Sequence, residues 1–116
     1  MRNELPAAIQ HLLGHIAYRC SEDAHVHARQ DLLRKQVGAV ANAHDNGWEL
    51  IRNGALVQLA DEDLRQVERA LACLFVVGNA ADVPAVEAVL ARPEESLQKS
   101  GRTCLFEIRR RASSRV

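Results

Sequence analysis

The segments ALACLFVVG (Ala70–Gly78) and SGRTCLFEI (Ser100–Ile108) carry the same tripeptide, Cys73-Leu74-Phe75 and Cys104-Leu105-Phe106, one 31-residue step apart. That step also takes Leu59-Ala60 onto Leu90-Ala91 and Val77 onto Ile108. A tripeptide, a dipeptide and an apolar position matched at one offset define an internal repeat. Periods of roughly 20 to 50 residues belong to architectures that stack supersecondary units. Taken backwards, the step maps Leu33-Arg34 onto Leu64-Arg65, Ala39 onto Ala70, Ala41 onto Ala72 and Gly47 onto Gly78. This first copy is the most degenerate, as expected for an end unit whose outer face meets water.

Composition agrees with helices. The 116 residues are 47% hydrophobic but only 3% aromatic, so the core is built from Ala, Val, Leu and Ile. Such a core suits close helix packing better than a sheet, which favours aromatic and β-branched residues. The length fits one domain able to bury a core without disulfides. Net charge is +0 overall but uneven: residues 99–116 hold Lys99, Arg102, Arg109, Arg110, Arg111 and Arg115 against Glu107, a net of +5 that leaves −5 elsewhere. The balance argues against an obligate nucleic-acid binder.

Hydrophobic spacing outlines six helices. Leu5, Ile9, Leu12, Leu13 and Ile16 predict the first over about 4–19. The second follows a Ser21 cap, with Val26, Leu33, Val37, Val40 and Ala41 as its stripe, and stops at Asp45-Asn46-Gly47, where glycine can take positive φ. Trp48, Ile51, Ala55 and Leu59 trace the third. Asp61 is the expected cap of the fourth, the most apolar, with Leu64, Val67, Ala70, Leu71, Ala72, Leu74 and Phe75, closing at Gly78-Asn79. Asp82 and Pro84 open a short fifth helix, since proline is tolerated in a first turn. Pro93, Glu94 and Glu95 open the sixth, which buries Leu97, Gly101, Leu105 and Ile108, and residues 113–116 are expected to fray.

The segment Gly78–Arg109, GNAADVPAVEAVLARPEESLQKSGRTCLFEIR, resembles a HEAT repeat of the short bacterial kind. The likeness lies in the Gly turn, the Asp82-Val83-Pro84 helix start, apolar Val86, Val89 and Leu90, the Pro93 turn and the Leu105…Ile108 close. Residues 48–78 fit less well, lacking the Asp-x-Pro start, and residues 1–47 only through the offset. The resemblance implies an all-α fold: a small right-handed superhelical stack of three antiparallel helix pairs, in tiers of about 1–47, 48–78 and 79–111. It further implies that the second helices, about 22–44, 61–77 and 94–111, line a concave face. The polar residues there are Arg34, Arg65, Glu68, Arg69, Lys99 and Arg102, a basic strip and the candidate surface for a partner protein.

Other chemistry is weakly supported. Three cysteines without paired spacing do not make a disulfide framework, and Cys73 and Cys104 read as small core hydrophobes. Cys20, between Arg19 and Ser21, is the one cysteine outside a core stripe, and it reads as a plain surface thiol. His25 and His27 are two apart and point about 200° away from each other on a helix, so they cannot chelate one ion together. His11 and His15 share a face but form only half a zinc site, and His44 suits a helix C-terminus. We expect no metal and no cofactor. No Gly-x-Ser-x-Gly, phosphate-binding glycine loop or His-Glu-x-x-His occurs, so no enzyme is expected. Trp48 and Tyr18 read either as interface anchors or, better, as packing between the first two helix pairs. The run Arg109-Arg110-Arg111 permits contact with a phosphate backbone, although no aromatic interleaving with these basic residues supports it. An interrupted N-terminus (Gln10, His11, His15) and no membrane-length apolar run lead us to expect a cytoplasmic protein. The leading expectation is a non-enzymatic protein-binding module, such as an adaptor or an immunity protein masking a toxin, with a homodimer as one way to cover an apolar end.

Overall fold

The chain is described by a computed structural model over residues 5–16 and 26–113, with side chains from residue 30 onward in the second stretch. The protein is all-helical, and no strand occurs among the described residues. Among the described residues six helices follow in order: α1 (Ala7–His15), α2 (Val26–Asn42), α3 (Gly47–Gln58), α4 (Leu64–Val77), α5 (Val83–Leu90) and α6 (Glu95–Ser113). A 3-10 turn, Ala80–Asp82, leads into α5.

Helix ends follow local chemistry, and several differ from expectation. α1 starts at Ala7 rather than near residue 4, because Pro6 occupies the N-cap with extended ψ of 146° and disfavours helix before it. It ends at His15, one residue past Gly14, with Ile16 already extended at ψ 131° and buried. The expected Ser21 cap lies outside the described residues. Asp61 does not cap α4. It accepts from the Asp63 backbone N–H at 2.8 Å, and Asp63 is the cap, accepting from Arg65 N–H at 2.9 Å. Asp82 precedes α5 as expected, but its carboxylate turns back to accept from Asn79 N–H at 2.9 Å. The Asn79 side chain in turn accepts from Ala81 N–H at 2.9 Å, closing a capping box. Ser113 is still helical.

The turn between α2 and α3 departs from the glycine expectation. Asn46, with φ 55°, takes the left-handed conformation, and no glycine has positive φ. Gly47 instead opens α3, where a Cβ would lie 2.0 Å from the Ala41 carbonyl oxygen. The glycine is there for close backbone approach.

α4 sits at the centre, packed by α1, α2, α3 and α6. Val67, Glu68 and the unbroken run Ala70–Phe75 are buried, so the helix is enclosed on nearly all sides. α6 buries one side only: Leu97, Ser100, Gly101, Cys104, Leu105, Glu107 and Ile108. The radius of gyration is 13.3 Å, with extents of 37 × 33 × 28 Å. A compact domain of this length is expected near 13 Å, so the six helices form a globule and not a drawn-out array.

Between α4 and α6 the 31-residue offset is structural. Leu64 and Glu95 are their first residues, and Cys73 and Cys104 are both fully buried. Neither cysteine is in a disulfide, and both act as core filler, as expected. The backward step holds at Ala41 and Ala72, both buried, but not at its other positions: Leu33 lies inside α2 whereas Leu64 begins α4, Ala39 is exposed whereas Ala70 is buried, and Gly47 opens a helix whereas Gly78 closes one. Loop and helix lengths differ in the first unit, so a constant step cannot superpose it.

Candidate partner-binding site

α6 rests against α5 on one side and against α4 on another, and Arg34 of α2 reaches its Glu107. The Glu107 side chain is only 8% exposed, and three guanidinium groups surround it: Arg110 at 2.7 Å, Arg111 at 3.2 Å and Arg34 at 3.6 Å. The hydrogen bonds from Arg110 hold its carboxyl below the usual carboxylate range; burial opposes this, and the charges of Arg111 and Arg34 reinforce it. The Arg34 guanidinium also lies over the Phe75 ring, 5.1 Å from its centroid, a cation–π contact. Asp31, one turn back, pairs with Arg34 at 3.2 Å.

These groups line a cleft of about 420 Å³ between α2 and α6, floored by Phe75 and edged by Gln30, Thr103 and Phe106. Phe106 is the outlier. Phe75, its counterpart in the repeated tripeptide, is 1% exposed, whereas Phe106 is 70% exposed. The shared tripeptide predicts equal burial, but α4 has neighbours around it and α6 has none on its outer side. Neighbouring positions follow the rule that Phe106 breaks: buried Leu71 of α4 corresponds to exposed Arg102 of α6.

The sequence-nominated strip is divided. Arg34 is in the cleft, beside the last turn of α4 at Phe75. Arg65 is in the first turn, 74% exposed, and pairs with Asp63 at 3.7 Å. Ten residues of helix, about 15 Å, separate those two levels, so Arg34 and Arg65 are not neighbours. Glu68 is buried at 8%, Arg69 is half-buried, and Lys99 and Arg102 are exposed on α6.

The arginine run is engaged by the fold. Arg109 pairs with Glu87 of α5 at 2.7 Å, and Arg110 binds Glu107. Arg111 donates to the carbonyl oxygens of Phe75 at 2.6 Å and Gly78 at 2.8 Å. It thus serves C-terminal carbonyls of α4 that the helix itself leaves without donors. Burial pushes the Arg111 pKa down, while Glu107 holds it up.

Sequence reading missed Phe106 and Glu107. The available signal was the i±4 spacing of Arg102, Phe106 and Arg110, which puts an aromatic between two cations on one helix face. Trp48 is 44% exposed; its Nε1–H donates to Asn42 Oδ1 at 3.0 Å, and its ring lies opposite Gly38 of α2. His44 Nδ1 lies 3.0 Å from the Val40 carbonyl oxygen at the end of α2. The His11 and His15 rings lie 4.7 Å apart, and no group of three or more metal-ligating side chains occurs among the described residues. Tyr18, Cys20, His25 and the His27 side chain fall outside the described residues. No described helix is long and apolar enough to cross a membrane.

A larger, more open hollow of about 1060 Å³ lies between α1 and α3, with Leu5, Leu13, Leu50 and Val57 on its walls and Asp61 as its one charged group. Its described lining has no cation, and its polar groups are the amides of Gln10, Asn53 and Gln58 with the Asp61 carboxylate. In comparison with known proteins, no family model, curated protein or solved structure matches the chain.

Proposed function

We propose that this chain is a non-enzymatic protein-binding module that engages its partner through the α2–α6 cleft and the exposed face of α6. The carrying observation is Phe106, 70% exposed beside a cleft whose charged groups are already paired. Aromatic anchors beside arginines are the side chains that dominate binding energy at protein interfaces. The 31-residue agreement of α4 with α6 supports a short HEAT-like stack, in which α6 is the last tier and Phe106 occupies the position that a further tier would cover. An adaptor, or an inhibitor that occludes a toxin or enzyme, is the role consistent with such a surface.

Binding to nucleic acid is the second reading, because Phe106 does interleave with Arg102 and Arg110 as a stacking platform would. Two features weigh against it. Arg109, Arg110 and Arg111 are committed to Glu87, Glu107 and the α4 carbonyls, and Asp31 and Glu107 would repel phosphate within the cleft. The test is capture at moderate salt from cells that produce the protein. One stoichiometric protein partner is expected, retained by Val57→Ser and lost with Phe106→Ser. Recovery that is unchanged in Phe106→Ser would refute the assigned surface.

A further inference from the structure

His11 and His15 lie one turn apart at the C-terminal end of α1, and His15 is its last residue. Both are exposed, on the side of the helix away from buried Ile9, Leu12 and Leu13. Their ring centres are 4.7 Å apart, with the planes tilted by 32° and so not stacked in parallel. Two imidazoles bound to one ion through nitrogens at about 2.0–2.1 Å, with about 90–109° between the bonds, have ring centres about 4.5–5.2 Å apart. The observed separation falls inside that range. The helix adds two favourable features. Its carbonyl end carries partial negative charge, which attracts a cation, and α1 contains no lysine or arginine to repel one.

We infer that His11 and His15 form a two-imidazole site for a divalent transition metal of the zinc and nickel class. Imidazole suits these ions, whereas Mg²⁺ and Ca²⁺ take oxygen ligands. No third metal-ligating side chain joins the pair among the described residues. The ion therefore keeps open positions for water, or for an imidazole or carboxylate of another protein, unlike the ion of a closed structural zinc site. The site shares no residue with the α2–α6 cleft, so it stands or falls separately from the protein-binding reading.

The experiment is isothermal titration of the full chain with nickel, zinc and magnesium chlorides in a weakly coordinating buffer. Ni²⁺ and Zn²⁺ should fill one saturable site per chain that Mg²⁺ does not occupy. His11→Ala and His15→Ala should each weaken binding about tenfold or more, since losing a ligand costs at least what losing an outer-shell partner does. The double variant should fall little further, because one lost ring already breaks the chelate. Cys20→Ser, and the paired change His25→Ala with His27→Ala, should leave binding unchanged. Saturating Ni²⁺ should raise the Tm of the parent but not of either single variant, because the ion favours the folded helix that sets the ring spacing. Both altered positions are exposed, so circular dichroism melts without metal should match the parent. Binding that survives His11→Ala or His15→Ala, that disappears in the Cys20 or His25/His27 variants instead, or that is absent at millimolar metal overturns the inference. An equal Tm rise in the single variants overturns it as well. Losses that simply add in the double variant mean two separate single-histidine sites and overturn the chelate.

Discussion

Phe75 and Phe106 are the same residue in the same tripeptide, yet one is covered and the other is not. Their substitution costs should therefore separate. Phe75→Ala should lower unfolding free energy by about 3–5 kcal/mol, as large-to-small changes in a packed core do. Phe106→Ser should change it by about 0.5 kcal/mol or less, the usual range for surface sites. Urea titration of the two variants checks this directly, and comparable losses would mean that Phe106 is buried in solution. Glu107 makes a second prediction at this scale. Its folded pKa lies below its unfolded value, so ionisation of Glu107 favours the folded state above about pH 4.3. This contribution should be present at neutral pH and be lost as pH falls through the folded-state pKa. Urea midpoints measured from pH 7 to 3 should fall less steeply over the acid range in Glu107→Gln than in the parent.

The ends of the helices, more than their middles, tie the structure together. Arg111, near the end of α6, reaches across to the last carbonyls of α4 and to Glu107, so one guanidinium closes one helix and anchors another. Arg111→Ala should cost about 2–3 kcal/mol, since hydrogen bonds to charged groups are the stronger class and their loss leaves buried acceptors without donors. Arg111→Lys should recover only part of that stability, because an ammonium lacks the planar fork that spans several acceptors. Thermal or urea unfolding of both variants tests it, and full rescue by Lys would refute the geometric account. The same engagement explains why a run of three arginines is a poor sign of phosphate binding here. Element existence and type were readable from apolar spacing. Caps were less so, because Asp61 and Asp63 are both suitable residues and only the turn geometry decides which carboxylate meets the helix N–H groups.

At the scale of the molecule, α3 and the entry to α5 are joined by a partly buried ion pair. Arg52 Nε donates to Asp82 Oδ2 at 2.8 Å, Arg52 also pairs with Glu49, and the Asp82 side chain is 1% exposed. The Asp82 hydrogen bond raises the Arg52 pKa. A double-mutant cycle of Arg52→Ala and Asp82→Asn should show a coupling of about 1–3 kcal/mol, because the two share one buried network. Independent, additive effects in urea unfolding would show that the bridge does not tie these elements. Sequence by itself determined the helical class, the order of the six helices, the buried stripe of α4 and the role of Cys73 and Cys104 as core residues, because each follows from local periodicity and side-chain volume. It also contained the real repeat, the 31-residue match of α4 to α6. Only the tertiary structure decided that Phe75 is floor while Phe106 is surface, that Arg34 meets Phe75 and Glu107 rather than Arg65, and that Arg109, Arg110 and Arg111 are already paired. The reason is physical: burial and charge pairing depend on which neighbours surround a helix, and α4 is enclosed where α6 is left open.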